Sequence, residues 1–223
     1  AKNGGSLKDL AKRISDQGLV VASAIGFAEW IVDDDAKRAA GLEQAKRDMD
    51  LVRQIGGTRI AAPPAGANGM APVDLAKAAE RYRALLELGD QMGVVPQLEV
   101  WGFSTSLSRL SEVAYVLVES GHKDACLLLD VYHLYKGGSE FQGLKMLNGA
   151  AMHVMHVNDY PNSPPRTEIN DAARVYPGDG VAPLDDVFRT LKQIGFRGML
   201  SLELFNRDYW MQDPATVVQT GLD

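Results

Sequence analysis

The sequence predicts an α/β fold, a (β/α)8 barrel in which the first strand–helix–strand is lacking. Three observations lead there. Short apolar, β-branched runs alternate strictly with amphipathic stretches along the 223 residues, and strands apolar on both faces make a parallel sheet covered by helices. The other architecture with that alternation, an open doubly wound sheet, normally carries a Gly-rich turn after an early strand, and no G-x-G-x-x-G or Walker pattern occurs. Finally, six strand–helix units fill a chain that opens on a helix and falls short of the ~250 residues of a complete barrel. With no linker or shift in composition, residues 1–223 read as one domain, N-terminally incomplete.

The elements follow in order. Leu7, Leu10, Ala11 and Ile14 fall at helical spacing, with Gly18 as the stop. Residues 19–25 are short, apolar and β-branched and read as a strand. Asp33 to Asp35 cap the next helix, whose stripe is Ala39, Leu42, Met49, Val52 and Ile55, and Gly56-Gly57 ends it. Strands at 58–62, 94–101, 125–130, 151–157 and 199–205 follow. Helices are expected at 73–92, in the stripe Leu107 to Val118, at 141–147, from Pro183 as first residue to Ile194, and from near Pro214.

Composition excludes several classes. With 23 Lys and Arg against 29 Asp and Glu the net charge is −6, the wrong sign for a broad phosphate-binding face. One cysteine, Cys126, permits neither a disulfide framework nor a cysteine-based zinc site. No apolar run nears the ~20 residues of a membrane helix, and no secretory signal opens the chain. The expectation is a soluble, cytoplasmic protein that binds a small molecule, not nucleic acid or membrane.

Chemistry is concentrated where strands end. Glu99 in QLEVWG, Asp130 in LLLDVYH, His156 in HVMHVND and Glu203 in LSLELFN all fall at or near C-terminal strand ends, the face on which barrels do their chemistry. A carboxylate inside an apolar strand is costly unless paired or bound to a cation. Each alone has an ordinary explanation: Glu99 as a solvated acid, Asp130 as a turn cap, His156 as a core histidine. Their recurrence on four successive strands favours a shared metal site. Three carboxylates and one imidazole make a hard donor set, suited to Mn²⁺, Mg²⁺ or Co²⁺ and less typical of Zn²⁺.

Weaker assignments surround these. His133, in the loop past Asp130, is placed to reach substrate. His153 lies three residues from His156, on the opposite face of a strand, and is read as packing. Arg166 in PNSPPRTE can clamp an anionic or hydroxyl-rich ligand, while Arg174, just before YPGDG, is read as bracing that loop. Trp101 and Tyr132 can wall a sugar pocket.

The runs LEVWG, LLLDVYHLYKGGS, HVMHVND and DAARVYPGDGVAPLDDVFRTLKQIGFRGMLSLELFNRDYW resemble the xylose-isomerase-like TIM-barrel sugar phosphate isomerases and epimerases, in particular the 2-keto-myo-inositol isomerases. The resemblance is good over 94–220. It implies one divalent metal held by Glu99, Asp130, His156 and Glu203, and a substrate contact from His133 of the D-x-x-H pair. Arg166 stands farther from His156 than the corresponding arginine of the epimerase branch.

The activity implied is isomerisation or epimerisation of a keto-sugar or keto-inositol through an enediolate, with Glu99 and Glu203 as the acid and base, in an order the sequence leaves open. A dehydratase or lyase using the same site and a non-catalytic sugar-binding barrel are the alternatives. Sheet edges left open by absent strands favour a homo-oligomer.

Overall fold

The computed structural model describes residues 5–222. Helices α1 (Leu7–Asp16), α2 (Asp35–Gln54), α3 (Leu75–Met92), α4 (Leu110–Ser120), α5 (Val131–Lys136), α6 (Leu184–Gln193), α7 (Arg207–Trp210) and α8 (Pro214–Leu222) alternate with strands β1 (Arg59–Ala62), β2 (Val95–Glu99), β3 (Leu127–Asp130), β4 (Met152–Val157) and β5 (Met199–Leu202). All pairings are parallel, in the order β1-β2-β3-β4-β5. This is the wall of a TIM barrel.

Residues 19–25, expected as a strand, form only a parallel bridge between Ala24 and Ile60. Leu19 and Val20 are largely exposed there, as are Met199 and Leu200 of β5 at the other edge. A strand needs a second neighbour to hold its ladder and bury its faces, and among the described residues that stretch has one neighbour for a single residue.

Smaller differences have local causes. The segment expected at 141–147 is a 3-10 helix, Phe141–Met146. Asp74 accepts the Lys77 N–H, so α3 starts at Leu75 and not at Val73. Pro183 sits at the N-cap of α6, one residue before the position expected.

Alternation along the strands separates two layers. Ile60, Leu98, Leu127, Leu129 and Met155 face the helices and join the main core, which includes Ala78, Tyr82, Leu85 and Leu86 of α3. Ala61, Leu128 and Val154 face inward and pack on one another in the barrel interior, with Ala22 beside them.

Tyr82 ties the layers. Its hydroxyl is placed to donate to either the Pro96 carbonyl at 2.9 Å or the Cys126 carbonyl at 3.0 Å, and it accepts the Cys126 N–H at 3.3 Å. Tyr82→Phe removes the hydroxyl from the Pro96 carbonyl and the Cys126 N–H in a dry core, while the Cys126 carbonyl keeps the Leu98 N–H, and is expected to cost about 1–3 kcal/mol, read as a lower denaturation midpoint at unchanged slope.

Candidate metal centre and active site

Register places the polar side chains. Asp130 of β3 pairs with His156 of β4, so the two project side by side into the barrel. One residue beyond β5, the Glu203 N–H bonds to the Val157 carbonyl at 3.2 Å, which continues the ladder and puts Glu203 on the same face. Asp130, His156 and Glu203 each offer a ligand atom, and all three atoms lie within 4.8 Å of one another.

Glu99 stands apart from this tight set. Its register partner is Leu128, two residues below Asp130, and it approaches from the layer beneath, with Oε1 3.7 Å from His156 Nδ1. His156 Nδ1 is also 3.2 Å from Glu203 Oε2 and 3.8 Å from Asp130 Oδ2. The three carboxylates among the expected ligands therefore surround one imidazole nitrogen of the fourth, His156.

Asp130 does two jobs. Its Oδ1 caps α5 by accepting the His133 N–H at 2.8 Å, while Oδ2 accepts from Arg174 Nη1 at 2.8 Å and Asn158 Nδ2 at 3.1 Å. That cap starts a helix directly at Val131, so His133 is buried on α5 and not in a loop.

Arg174 is the main correction to the sequence reading. Instead of bracing its loop from outside, its guanidinium is fully buried in the site. Nη1 also reaches Glu203 Oε2 at 2.9 Å, and Nη2 reaches Asp171 Oδ1 at 2.5 Å and His133 Nε2 at 3.1 Å. Its planar head lies between the rings of Tyr132 and Phe205, 4.6 and 5.0 Å from their centroids. A charge this deep is tolerated because both Nη atoms are paired to carboxylates, although Nε is buried without a hydrogen-bond partner among the described residues.

Asp159 positions that arginine. It exchanges both backbone hydrogen bonds with Val175, the residue after Arg174. Its Oδ1 accepts the N–H groups of Tyr160 and Ala182, and Oδ2 those of Gly178 and Gly180. Gly180 allows this approach, since a Cβ there would lie 2.3 Å from Asp159 Oδ1. Asp159→Ala leaves four N–H groups to find water and is expected to cost about 2–3 kcal/mol, visible in urea unfolding.

The remaining expectations divide. Trp101 lies in a row of rings, 6.2 Å from Phe27 and 5.1 Å from Phe103, whose ring is 5.4 Å from His133; its side-chain N–H also acts on the Glu99 carboxyl, opposing the upward shift that burial causes. Arg166 is exposed, its guanidinium beside Gly138 and its carbonyl bonded to Lys136 Nζ at 3.0 Å, and the structure does not bring it to the carboxylates. His153 lies at the register shift between Met152 and Val154, toward the start of β4 and away from the carboxylates, where it lines a cleft with Arg59 and Met199. Asn158, unremarked in the sequence, links Asp130 to the Tyr132 N–H and the Glu203 carbonyl. Its position two residues after His156 was the available signal, since i and i+2 share a face.

Burial shapes the electrostatics. It pushes the Glu99 carboxyl up to about 8; His156 opposes this, and Glu203 and Asp130 reinforce it. Burial also works against the Asp130 carboxylate, but Arg174 and the two histidines hold it down at about 2. Burial lowers the His133 pKa, and Arg174 adds to that effect. His156 is shifted upward because Glu203 and the other two carboxylates outweigh its burial.

Glu99, Asp130 and Glu203 gather carboxyl oxygens around His156, negative charge that a divalent cation would offset once Glu99 is ionised. Glu99 Oε2 and His156 Nδ1 are buried without a hydrogen-bond partner among the described residues, an expense that a bound cation would remove. The donor set thus fits a hard divalent ion.

An α/β barrel whose C-terminal strand ends converge on carboxylates and an imidazole is the class that this fold and site define. The family model for the xylose isomerase-like TIM barrel matches residues 3–223, and the chain belongs to that family.

Among curated relatives, the chain is 31% identical over 138 residues to the inosose isomerase of Bacillus subtilis (strain 168), covering 61% of this chain and 49% of that protein. It is 25% identical over 211 residues to the 3-dehydroshikimate dehydratase of Pseudomonas aeruginosa, covering 91% of this chain and 32% of that one. The chain thus spans about half the length of the inosose isomerases it matches. Among solved structures, the IOLI protein crystallised with a binding zinc atom superimposes with a TM-score of 0.86 at 24% identity, covering 99% of this chain and 80% of that one.

Proposed function

We propose that the protein is a divalent-metal-dependent isomerase or epimerase of a keto-sugar or keto-inositol. The observation that carries this reading is the ring of Asp130, His156 and Glu203, with Glu99 beneath, around two orphaned buried polar atoms. The kinship to inosose isomerases supports the substrate class.

Asp130, His156, Glu203 and Glu99 would hold the ion, with Mn²⁺, Mg²⁺ or Co²⁺ best matched to the donors and Zn²⁺ the alternative. When bound, the ion supplies Lewis acidity that polarises a ketose carbonyl and acidifies the neighbouring C–H.

The chain's own residues do the rest. Glu99 and Glu203 rise from β2 and from the end of β5, on either side of β3 and β4, so they flank a ligand lying over His156 from two directions. One carboxylate takes the proton from the carbon beside the carbonyl, giving the substrate's enediolate, and a proton returned to the neighbouring carbon or the opposite face gives the isomer or epimer. No oxidant or reductant is needed. Arg174 keeps Asp130 and Glu203 aligned. Trp101, Phe103 and Phe27 offer ring faces to the apolar side of a sugar, and His133 is the nearby imidazole for a substrate oxygen.

A dehydratase reading is favoured by the kinship over 91% of the chain to the 3-dehydroshikimate dehydratase, since the same enolate can expel a β-leaving group. Incubation with inososes and ketoses in heavy water with Mn²⁺ separates the two. Deuterium at the carbon beside the carbonyl with isomer formation is expected, and Glu203→Gln should lose about 10²-fold or more of it. An unsaturated product would transfer the site to the dehydratases. Neither product with any ketose would leave a sugar-binding barrel.

A further inference from the structure

We infer that Arg174 is a positioning residue that fixes the ring proton of His133 on Nδ1 and occupies the lone pair on Nε2, so that this imidazole does not serve as a base. The inference rests on the proposed function only for its catalytic meaning; the tautomer itself is a property of the protein alone.

The reasoning is one of donors and acceptors. Arg174 Nη2 lies 3.1 Å from His133 Nε2, and a guanidinium has only N–H donors, with no lone pair to offer. A protonated Nε2 would set two N–H groups against each other in a fully buried pair, so Nε2 must accept. In a neutral imidazole the proton is then on Nδ1.

The arginine cannot swing away from this duty. Its Nη1 is held by Asp130 and Glu203, its Nη2 by Asp171, and its plane by Tyr132 and Phe205. His133 is equally constrained, because its N–H is bonded to Asp130 Oδ1 in the first turn of α5 and its ring lies 5.5 Å from Tyr132 and 5.4 Å from Phe103.

The consequence is a stranded donor. His133 Nδ1 is buried and has no hydrogen-bond partner among the described residues. Proton abstraction from carbon then belongs to the carboxylates, since the one free lone pair of His133 is spent on Arg174.

The test is the ¹⁵N–¹H long-range correlation spectrum of the full chain, labelled on its four histidines, with chelator and no substrate at neutral pH. His133→Gln identifies the His133 signals. The expected pattern has the unprotonated nitrogen correlated with both ring C–H protons, which identifies it as Nε2, and the protonated nitrogen correlated strongly with one.

A wild-type spectrum with the proton on Nε2, or with both nitrogens protonated, overturns the inference whatever the variants do. Arg174→Met should lose the pattern, moving toward the Nε2–H form or an average of the two; an unchanged pattern would remove Arg174 from the account. If Arg174→Met does not fold, the wild-type spectrum decides alone. Because neither metal nor substrate is present, failure here is distinct from failure of the isomerase reading.

Discussion

Arg174→Met is expected to destabilise the chelator-treated protein by about 3–5 kcal/mol, the usual consequence of removing one partner from a buried ion pair. At roughly 2–4 °C per kcal/mol for a domain of this size, that is a fall in Tm on the order of 10 °C. The size follows from what is left behind. Asp130 is fully buried and Glu203 is 20% exposed at its side chain, and both place an oxygen within 3 Å of the same Nη1. Without the guanidinium they face each other uncompensated across His156.

Methionine can occupy the slot between Tyr132 and Phe205, so packing is largely kept and the loss is electrostatic. Divalent ion should then stabilise the variant more than the wild type, since it supplies the charge that Arg174 provided. Thermal melts with chelator and with Mn²⁺ check both halves. A variant as stable as wild type in chelator would mean that the buried pairs do not carry the charge.

The second large effect is a pH dependence set by Glu99. Burial raises its carboxyl from 4.5 to about 8 in the metal-free protein, so between those values the folded chain holds a proton that the unfolded chain releases. Stability is therefore greatest below pH 4.5 as far as this group is concerned, falls as pH rises through the window, and levels off above about 8. With 1.36 kcal/mol per unit, the loss is roughly 3–5 kcal/mol.

Asp130 acts with the opposite sign in a separate window. Its contribution is present above pH 3.8 and fades as pH falls toward about 2. Glu99→Gln should flatten the decline between pH 5 and 8 and leave the acid limb. Below pH 8 an ion that takes Glu99 as ligand must displace its proton, and His156 adds to the trend, so Mn²⁺ affinity should climb with pH and Glu99→Gln should lower the slope by about one proton. Affinity independent of pH across that range would separate Glu99 from the ion.

The fold was legible because strands at 58–62, 94–101 and 125–130 are short apolar runs, the first two bounded by glycine or proline, in alternation with helices, a pattern that few architectures share. The stretch 19–25 has the same local pattern and forms one bridge, since strand formation depends on neighbours that residue types do not encode. Asp130, His156 and Glu203 were legible for a related reason: a charge in an apolar strand is conspicuous, and parallel strands bring their C-terminal ends to one face.

Arg174 was not legible. It sits in a long polar loop where arginine is usually solvated, and what carries it inward is the set of backbone bonds that Asp159 makes to residues about twenty positions away. Local spacing holds no trace of such a contact. Arg166 lies nearer His156 in sequence yet is exposed, because sequence distance is a poor guide to reach within a loop.

The most direct measurement is the anomalous difference map of crystals soaked in Mn²⁺. One peak is expected within about 2.0–2.3 Å of Asp130, His156 and Glu203, with Glu99 turned in to complete the ring. A map with no peak among these four side chains, or with the ion held elsewhere on the barrel, would contradict the account.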